Sequence, residues 1–445
     1  MSAADNPSAG RSAQDALVLR TAQAPAVPAT RAAELVEKVR RPAMPGWGAG
    51  GKQLLVILVV SHAVQHFYAG ILPMVYPYAL REFNASFAAL GLVLGAVGIL
   101  GGLLQGAAGL IPRVSARFLL SAQNIGLAFA TVLAAIAPVF ALFGLARGVG
   151  ALVSWPQHPV GSALLANRFP QRRGTVLTWH TTGGSIGTIA VPILAGYIIA
   201  NTGTPEEPNW RLALWIFAVP MLVGGLLVAL FLRNEHGADG QHRPAAKPEV
   251  PLTVALRRRA AIVILIVSTI AAGGRGLGVL NAYIPSYLEH DLHFGPVLVG
   301  VIFSVLVVSS VVGPPIEGYI SDRIGHLKVL QIGYVIGAIG IASYPLVGNN
   351  VVGLILSGAL IGLFAYADSA MLQSIFSEAT HGAAQRAAFG IFFAIAYGVG
   401  SLWSPAIGAI IDNWGFQSAF FVMAGSFLLA AAVSTLARER RPAVA

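Results

Sequence analysis

Residues Gly318–Lys328 read GYISDRIGHLK, a short charged stretch between two apolar runs of membrane length. Gly318 and Gly325 let two helix ends approach each other, and Gly325 can also take the positive φ of a sharp turn. Asp322 can accept from backbone N–H groups at a helix start, while Arg323 and Lys328 stay on the aqueous side. Such a stretch connects two membrane crossings.

The rest of the chain has matching chemistry. Hydrophobic residues make up 56% and charged residues 10%, with mean hydropathy +0.72. A soluble domain carries about 25% charged residues, so this is a polytopic membrane protein. The sequence contains no cysteine, which excludes disulfides and thiol chemistry. The net charge of +10 raises the question of nucleic acid, and its distribution along the chain answers it.

Residues 1–52 are rich in Ala, Pro and Arg and lack the apolar core of a signal peptide. They read as a disordered cytosolic tail. Apolar runs follow, each near the ~20 residues that cross a bilayer. The expected segments, numbered 1 to 12, lie near 53–79, 86–112, 118–137, 139–166, 175–200, 211–232, 259–285, 294–317, 328–347, 351–378, 388–411 and 416–437. The expected class is an all-α integral membrane protein. Of the 28 Lys and Arg residues, Arg81 and Arg211 fall in loops on one side and Arg147 and Arg275 fall inside segments. All the others lie on the opposite side, the positive-inside asymmetry expected of two cytosolic termini. The positive charge therefore encodes topology, and no nucleic-acid partner is needed.

Polar residues 233–258, with Pro244, Pro248 and Pro251, form a cytosolic linker between six segments in 53–232 and six in 259–437. Residues 438–445 form a second cytosolic tail. At an offset of 209, Gly91 falls on Gly300, Gly109 on Gly318 and Tyr78 on Tyr287. Farther on the offset is 213, pairing Gly187 with Gly400 and Pro192 with Pro405. The first-half counterpart of the opening stretch, Gly109–Phe118 (GLIPRVSARF), has Arg113 where Asp322 stands.

Gly318–Lys328 resembles the G-x-x-x-D-R-x-G-x-x-K loop of the major facilitator superfamily of secondary transporters. That resemblance implies twelve transmembrane helices in two parallel six-helix repeats, with a substrate site between them near the midplane. It also implies a monomer in a bacterial-type plasma (inner) membrane, taking a small-molecule substrate and protons, with no cofactor. Gly318, Asp322, Arg323 and Gly325 would form a conformational latch, with Asp322 docking near Gly174–Thr175 at the start of segment 5. Glu317 would serve the same latch.

Ionisable residues at membrane depth are costly and usually functional. Here they are His62 and His66 in segment 1, Arg147 and His158 in segment 4, His180 early in segment 5, Arg275 in segment 7 and Asp368 in segment 10. In transporters of this resemblance, segments 1, 4, 7 and 10 line the cavity. His62 and His66 share a helix face at i,i+4. No third ligand is near them in sequence, so no metal is expected. They can bond substrate, exchange protons or pack structurally, and His66 matches Arg275 across the repeat.

Segment 4 reads LARGVGALVSWPQHP (145–159) and resembles the helix-4 arginine motif of proton-coupled members. Segment 7 carries Arg275 with Asn281 and Tyr283 toward its outer end. Asp368 is the one deep carboxylate, able to carry a proton or to sit as a static partner of Arg275 or Arg147. The expected substrate-binding residues are Arg147, Arg275, His66, Asn281 and Tyr283. The expected proton-coupling residues are Asp368, His62 and His158.

Ser61–Phe87 and the His158–Pro159 step resemble the fosmidomycin-resistance-like subfamily, as does GG-x-x-G in segment 5 (Gly183, Gly184, Gly187). That pattern expects an acid near His66 and another where Val160 stands, so drug efflux by its mechanism does not carry over. Guanidinium groups in the cavity suit a small organic anion. Import by symport and export by antiport both remain open. A passive channel is a further alternative, and an enzyme has no nucleophile motif, metal cluster or phosphate loop to rest on.

Overall fold

The computed structural model describes residues 49–107, 114–169, 171–204, 206–232 and 249–437. The tail readings for 1–48 and 438–445, most of the linker and the Gly109–Arg113 part of the first-half loop lie outside the described residues.

The first half contains α1 (Ala49–Glu82), α2 (Phe87–Ala107), α3 (Ala116–Ile136), α4 (Phe140–Val153), α5 (Ser162–Arg168), α6 (Arg173–Asn201) and α7 (Trp210–Phe231). The second contains a short α8 (Leu252–Leu256), then α9 (Arg259–Ala271), α10 (Asn281–Ser286), α11 (Pro296–Ile324) and α12 (His326–Ser343). It ends with α13 (Val351–Ala365), α14 (Asp368–Ala379), α15 (Gln385–Phe393) and α16 (Trp403–Ser434). Most of these are apolar on every face, because their surroundings are hydrocarbon as well as protein. Leu92, Phe129, Val219, Ile339 and Leu429 point outward, each more than half exposed.

Ten helical stretches among the described residues are long and apolar enough to cross a membrane. One of them, 387–437, is 51 residues long and breaks at Gly415, where φ is +77°. It therefore contains segments 11 and 12. Segment 4 escapes the count because it is interrupted between Val153 and Ser162. The architecture is consistent with twelve crossings.

Segments 4, 7 and 10 are each broken at depth. In segment 4, Pro156 cannot continue the hydrogen-bond ladder, and a wide turn follows over Gln157–Gly161. Buried polar contacts hold that turn: Gln157 N–H donates to Gln123 Oε1 at 2.7 Å, and Ser61 Oγ to Gln157 Oε1 at 3.1 Å. In segment 7, Arg275 is extended and Leu277 and Gly278 are non-helical. In segment 10 the helix stops at Ala365 and restarts at Asp368. Irregular backbone at this depth survives only when buried in protein or lining a cavity.

The halves meet along α2 against α15–α16 and along α6 against α11. Small residues permit the crossing: a Cβ on Gly91 would lie 2.4 Å from Ser404 O, and one on Gly102 would lie 2.6 Å from Gly398 N. Among the described residues, the polar bonds between halves cluster toward the end bearing residues 82–87. Asp412 accepts from Phe87 N–H and Ala88 N–H at 2.9 and 2.8 Å, capping α2 from the other half. Arg81 pairs with Glu289. Ser304 Oγ donates to Ile189 O at 3.3 Å, and Ser401 Oγ to Gly95 O at 3.0 Å.

A carboxylate on a helix N-terminus gains from both the free N–H groups and the helix dipole. Hydrogen bonds to a charged group contribute about 1.5–3 kcal/mol each. Asp412→Ala should therefore open this end, shifting the conformational equilibrium by roughly tenfold or more for one such bond lost. Spin labels on Glu207→Cys and Asp291→Cys, introduced into the cysteine-free chain, should report a longer distance in the variant. An unchanged distance distribution would show that the cap does not hold the halves together.

Candidate functional site

Arg275 and Asp368 face each other across the breaks in segments 7 and 10. Arg275 Nε lies 3.1 and 3.3 Å from the two carboxylate oxygens of Asp368. Its Nη1 donates to Ala396 O at 3.1 Å and its Nη2 to Ser268 O at 3.0 Å. The side chains are 5% and 1% exposed, so this is a buried ion pair with protein acceptors on all three guanidinium nitrogens. The interruption in segment 7 makes this possible, because Arg275 leaves the helix opposite Asp368, the first residue of α14.

Arg147 on α4 is the contrasting case. It is 9% exposed, and among the described residues neither its Nε nor its Nη1 has a hydrogen-bond partner. Its guanidinium sits 5.0 Å from the centre of the Tyr68 ring, a cation–π contact that orients the charge without neutralising it. Among the described residues no carboxylate pairs with it. Gly150 makes room for Tyr68, whose Oη lies 1.8 Å from the place a Cβ would occupy.

Both arginines line one cavity of about 380 Å³ between the halves. Gln65, Tyr76, Gln105, Asn281, Tyr397 and Ser401 contribute polar groups to its wall, with Leu72, Leu94 and Val97 among the apolar ones. Its volume suits a small solute, since ligand sites commonly measure ~300–1,000 Å³. The balance of charge at its wall is set by Arg147, because Asp368 offsets Arg275.

Four histidines of the first half meet beside this cavity. His62 and His66 approach with Nε2 atoms 3.1 Å apart. His158, on the turn after Pro156, brings a ring nitrogen within 4.8 Å of both. The His180 ring stacks on His62 at 4.3 Å between centroids.

The Major Facilitator Superfamily pattern matches residues 58–349 and 264–445, two overlapping stretches that together span most of the chain. The chain belongs to the Major Facilitator Superfamily. It is a multi-pass membrane transporter and not an enzyme. It is 26% identical to the multidrug resistance protein MdtG of Enterobacter lignolyticus over 351 residues, 76% of this chain and 79% of that one. Its fold is that of the nucleoside transporter NupG (TM-score 0.71, 16% identity, covering 87% of this chain and 100% of that one). The D-xylose-proton symporter has the same fold (TM-score 0.70, 15% identity, covering 86% and 96%).

In this superfamily member the expected site residues divide into groups. Arg147, Arg275 and Asn281 line the cavity. His66 does not: its ring turns to His62 and to Thr188 of α6. Tyr283 is fully buried and its hydroxyl donates to Ser404 O at 2.9 Å, near the junction with Phe87. Asp368 sits behind the cavity wall, and His62 and His158 belong to the histidine cluster.

In the Gly318–Lys328 stretch, Gly325 takes the positive φ, +94°. Nothing lies within 4 Å of a Cβ built on Gly318, so no close approach occurs there in this conformation. Asp322 is exposed and the start of α12 has no side-chain cap. Arg323 packs on Tyr319 at 4.0 Å, and His326 pairs with Glu378 at 3.0 Å. Glu317 points away from the loop: it is 4% exposed and sits 3.1 Å from a Cβ built on Gly333. One of its oxygens has no hydrogen-bond partner among the described residues. These side chains are separate because the halves are joined at the other end.

The residues missed at the sequence level are polar but uncharged, or acidic at a segment end. Tyr68, Tyr76, Tyr397, Gln65 and Gln105 read as ordinary apolar-helix constituents until packing turns them toward one space. Asp412 stands just before Gly415, where a loop acid is unremarkable.

Proposed function

We propose that this transporter moves a small organic anion by alternating access, with protons as the coupling ion. The observation that carries this reading is Arg147, a buried cation lining the cavity with no counter-charge among the described residues. Burying an unpaired charge costs several kcal/mol, and a bound carboxylate or phosphonate would offset that cost while using the free guanidinium donors. Tyr68, Tyr76 and Gln65 would surround the rest of the solute.

Proton coupling rests on the second half. Asp368 is held by Arg275 next to the cavity wall, and Glu317 provides another buried carboxylate in the same half. A proton taken by Asp368 would release Arg275 toward the cavity, linking protonation to anion binding. The halves would rock about the site, with Asp322 of the Gly318–Lys328 loop docking near Gly174–Thr175 when the presently joined end opens. In this reading the protein works as a monomer in a bacterial inner membrane with cytosolic termini.

The test is proton movement in everted vesicles, followed by a pH-sensitive dye as organic anions and cations are added. An anion-specific dye response supports the proposal, and its sign separates import from export. Anion flux without proton movement would leave a uniporter or exchanger. The name of the MdtG relative favours a second reading, export of toxic compounds by proton antiport. A response to cationic or neutral drugs and to no anion would select that reading.

A further inference from the structure

We propose that His62, His66 and His158 form a binding site for one divalent first-row transition-metal ion, of the class represented by Zn²⁺. The site lies in the first half, apart from the cavity lining, whichever solute the cavity carries.

The hydrogen bonds of the pair fix its protons. His62 Nδ1 lies 2.7 Å from the backbone carbonyl oxygen of His180. A carbonyl only accepts, so Nδ1 of His62 carries the hydrogen. His66 Nδ1 lies 2.7 Å from Thr188 Oγ1. The Thr188 hydroxyl gives its one hydrogen to Gly184 O at 3.0 Å, so its oxygen accepts from His66 Nδ1–H. Both neutral rings are thereby left with a lone pair on Nε2.

Those two Nε2 atoms face each other at 3.1 Å. Two lone pairs in contact repel, and a cation between them turns the repulsion into two bonds. In a tetrahedral imidazole site the metal–nitrogen distance is about 2.0–2.1 Å, which places neighbouring nitrogens about 3.3 Å apart. The pair is within a few tenths of an ångström of that geometry.

His158 supplies the third ligand, with its ring nitrogen within 4.8 Å of the other two. Its placement depends on the break at Pro156 and on the buried bonds of Gln157, which hold the turn. The Nδ1–H bonds to a carbonyl and a hydroxyl are the outer contacts that typically orient metal-bound imidazole. An all-nitrogen donor set suits Zn²⁺, Ni²⁺, Co²⁺ or Cu²⁺ rather than Mg²⁺ or Ca²⁺. The fourth position would be open to water or an anion.

Gly184 keeps the space open. A Cβ there would lie 2.9 Å from Nε2 and Cε1 of His62 and 2.9 Å from Cδ2 of His66. The three ligands come from α1 and the turn after α4, and α6 supplies the outer contacts, so the ion would clamp one half without bridging to the other.

The experiment uses full-length protein purified through a tag without histidine, stripped with chelator and titrated with Zn²⁺ or Co²⁺. One ion should bind per chain, with the intense visible absorption of tetrahedral Co²⁺ and a melting temperature that rises with metal concentration. Thr188→Val removes an outer contact and should weaken binding roughly 10–100-fold. His66→Ala with His158→Ala should abolish the Co²⁺ band, and Gly184→Ala should do so with every ligand still present. If these variants fail to fold, the wild-type titration decides. No saturable binding, an octahedral Co²⁺ spectrum, or binding that survives loss of both histidines overturns the proposal. A cluster that holds only a shared proton would give the first of these outcomes.

Discussion

Arg147→Gln should abolish saturable anion transport while leaving the protein folded and at least as stable as the wild type. The two halves of that expectation have one cause. Arg147 is buried in the cavity wall, with Nε and Nη1 unpartnered. In the absence of solute its charge is desolvated with only the Tyr68 ring to offset part of the cost, so its removal takes away a destabilising contribution. With an anion bound, the same guanidinium becomes one partner of a buried charge pair. Truncating one side of such a pair costs about 2–5 kcal/mol, or roughly 30-fold to several-thousand-fold in affinity. Arg147→Lys keeps the charge but loses the planar fork, so it should recover only part of the affinity. Counterflow in proteoliposomes and thermal unfolding of the same preparations supply both readouts. Unchanged anion affinity in Arg147→Gln would remove the arginine from the site. A fall in melting temperature would mean that its contact with the Tyr68 ring is structural.

The crossings were legible in the sequence because a membrane crossing has only to be apolar and about 20 residues long. What lies within each crossing was much less so. Pro156 announces its own break, since proline has no N–H to give. The break at Tyr366 and Ala367 has neither proline nor glycine and shows only in the structure. It is held open by packing from another segment: the Tyr366 ring lies where a Cβ on Gly276 would be, and its hydroxyl reaches Asn281 Oδ1 at 3.3 Å.

Of the residues singled out from the sequence, Arg147, Arg275 and Asn281 line the cavity, while the partnerships among the buried polar groups were not legible there. Asp368 had two candidate arginines, and depth alone does not distinguish them. The extended backbone at Arg275 does, because it carries that side chain to the start of α14. His62 and His66 share a face through spacing on one helix. His158 and His180 join them through the packing of α4 and α6 against α1, which no local pattern encodes. The superfamily loop is the reverse case. Its motif is plain in sequence, yet its acid is exposed here, and the charged groups that join the halves are Asp412, Arg81 and Glu289 at the other end.

Asp368→Asn should have the largest effect of any single change on folding, and transport should fall with it. It leaves Arg275 buried with no counter-ion, and breaking a buried pair by removing one member costs about 3–5 kcal/mol. Expression and melting temperature should therefore drop together with transport. That loss alone does not separate a coupling role from a structural one, so the informative comparison is the double variant Asp368→Leu with Arg275→Met. Replacing both charges by apolar groups of similar volume is often neutral or stabilising, and the double variant should recover the folded protein. If protonation of Asp368 releases Arg275 during the cycle, the recovered protein should still bind anion through Arg147, yet show no dye response and no uphill transport. A double variant that folds and still drives accumulation with a proton gradient would make the pair a structural clasp between segments 7 and 10. Glu317, the other buried carboxylate of that half, would then be the group to replace next, by glutamine, in the same vesicles.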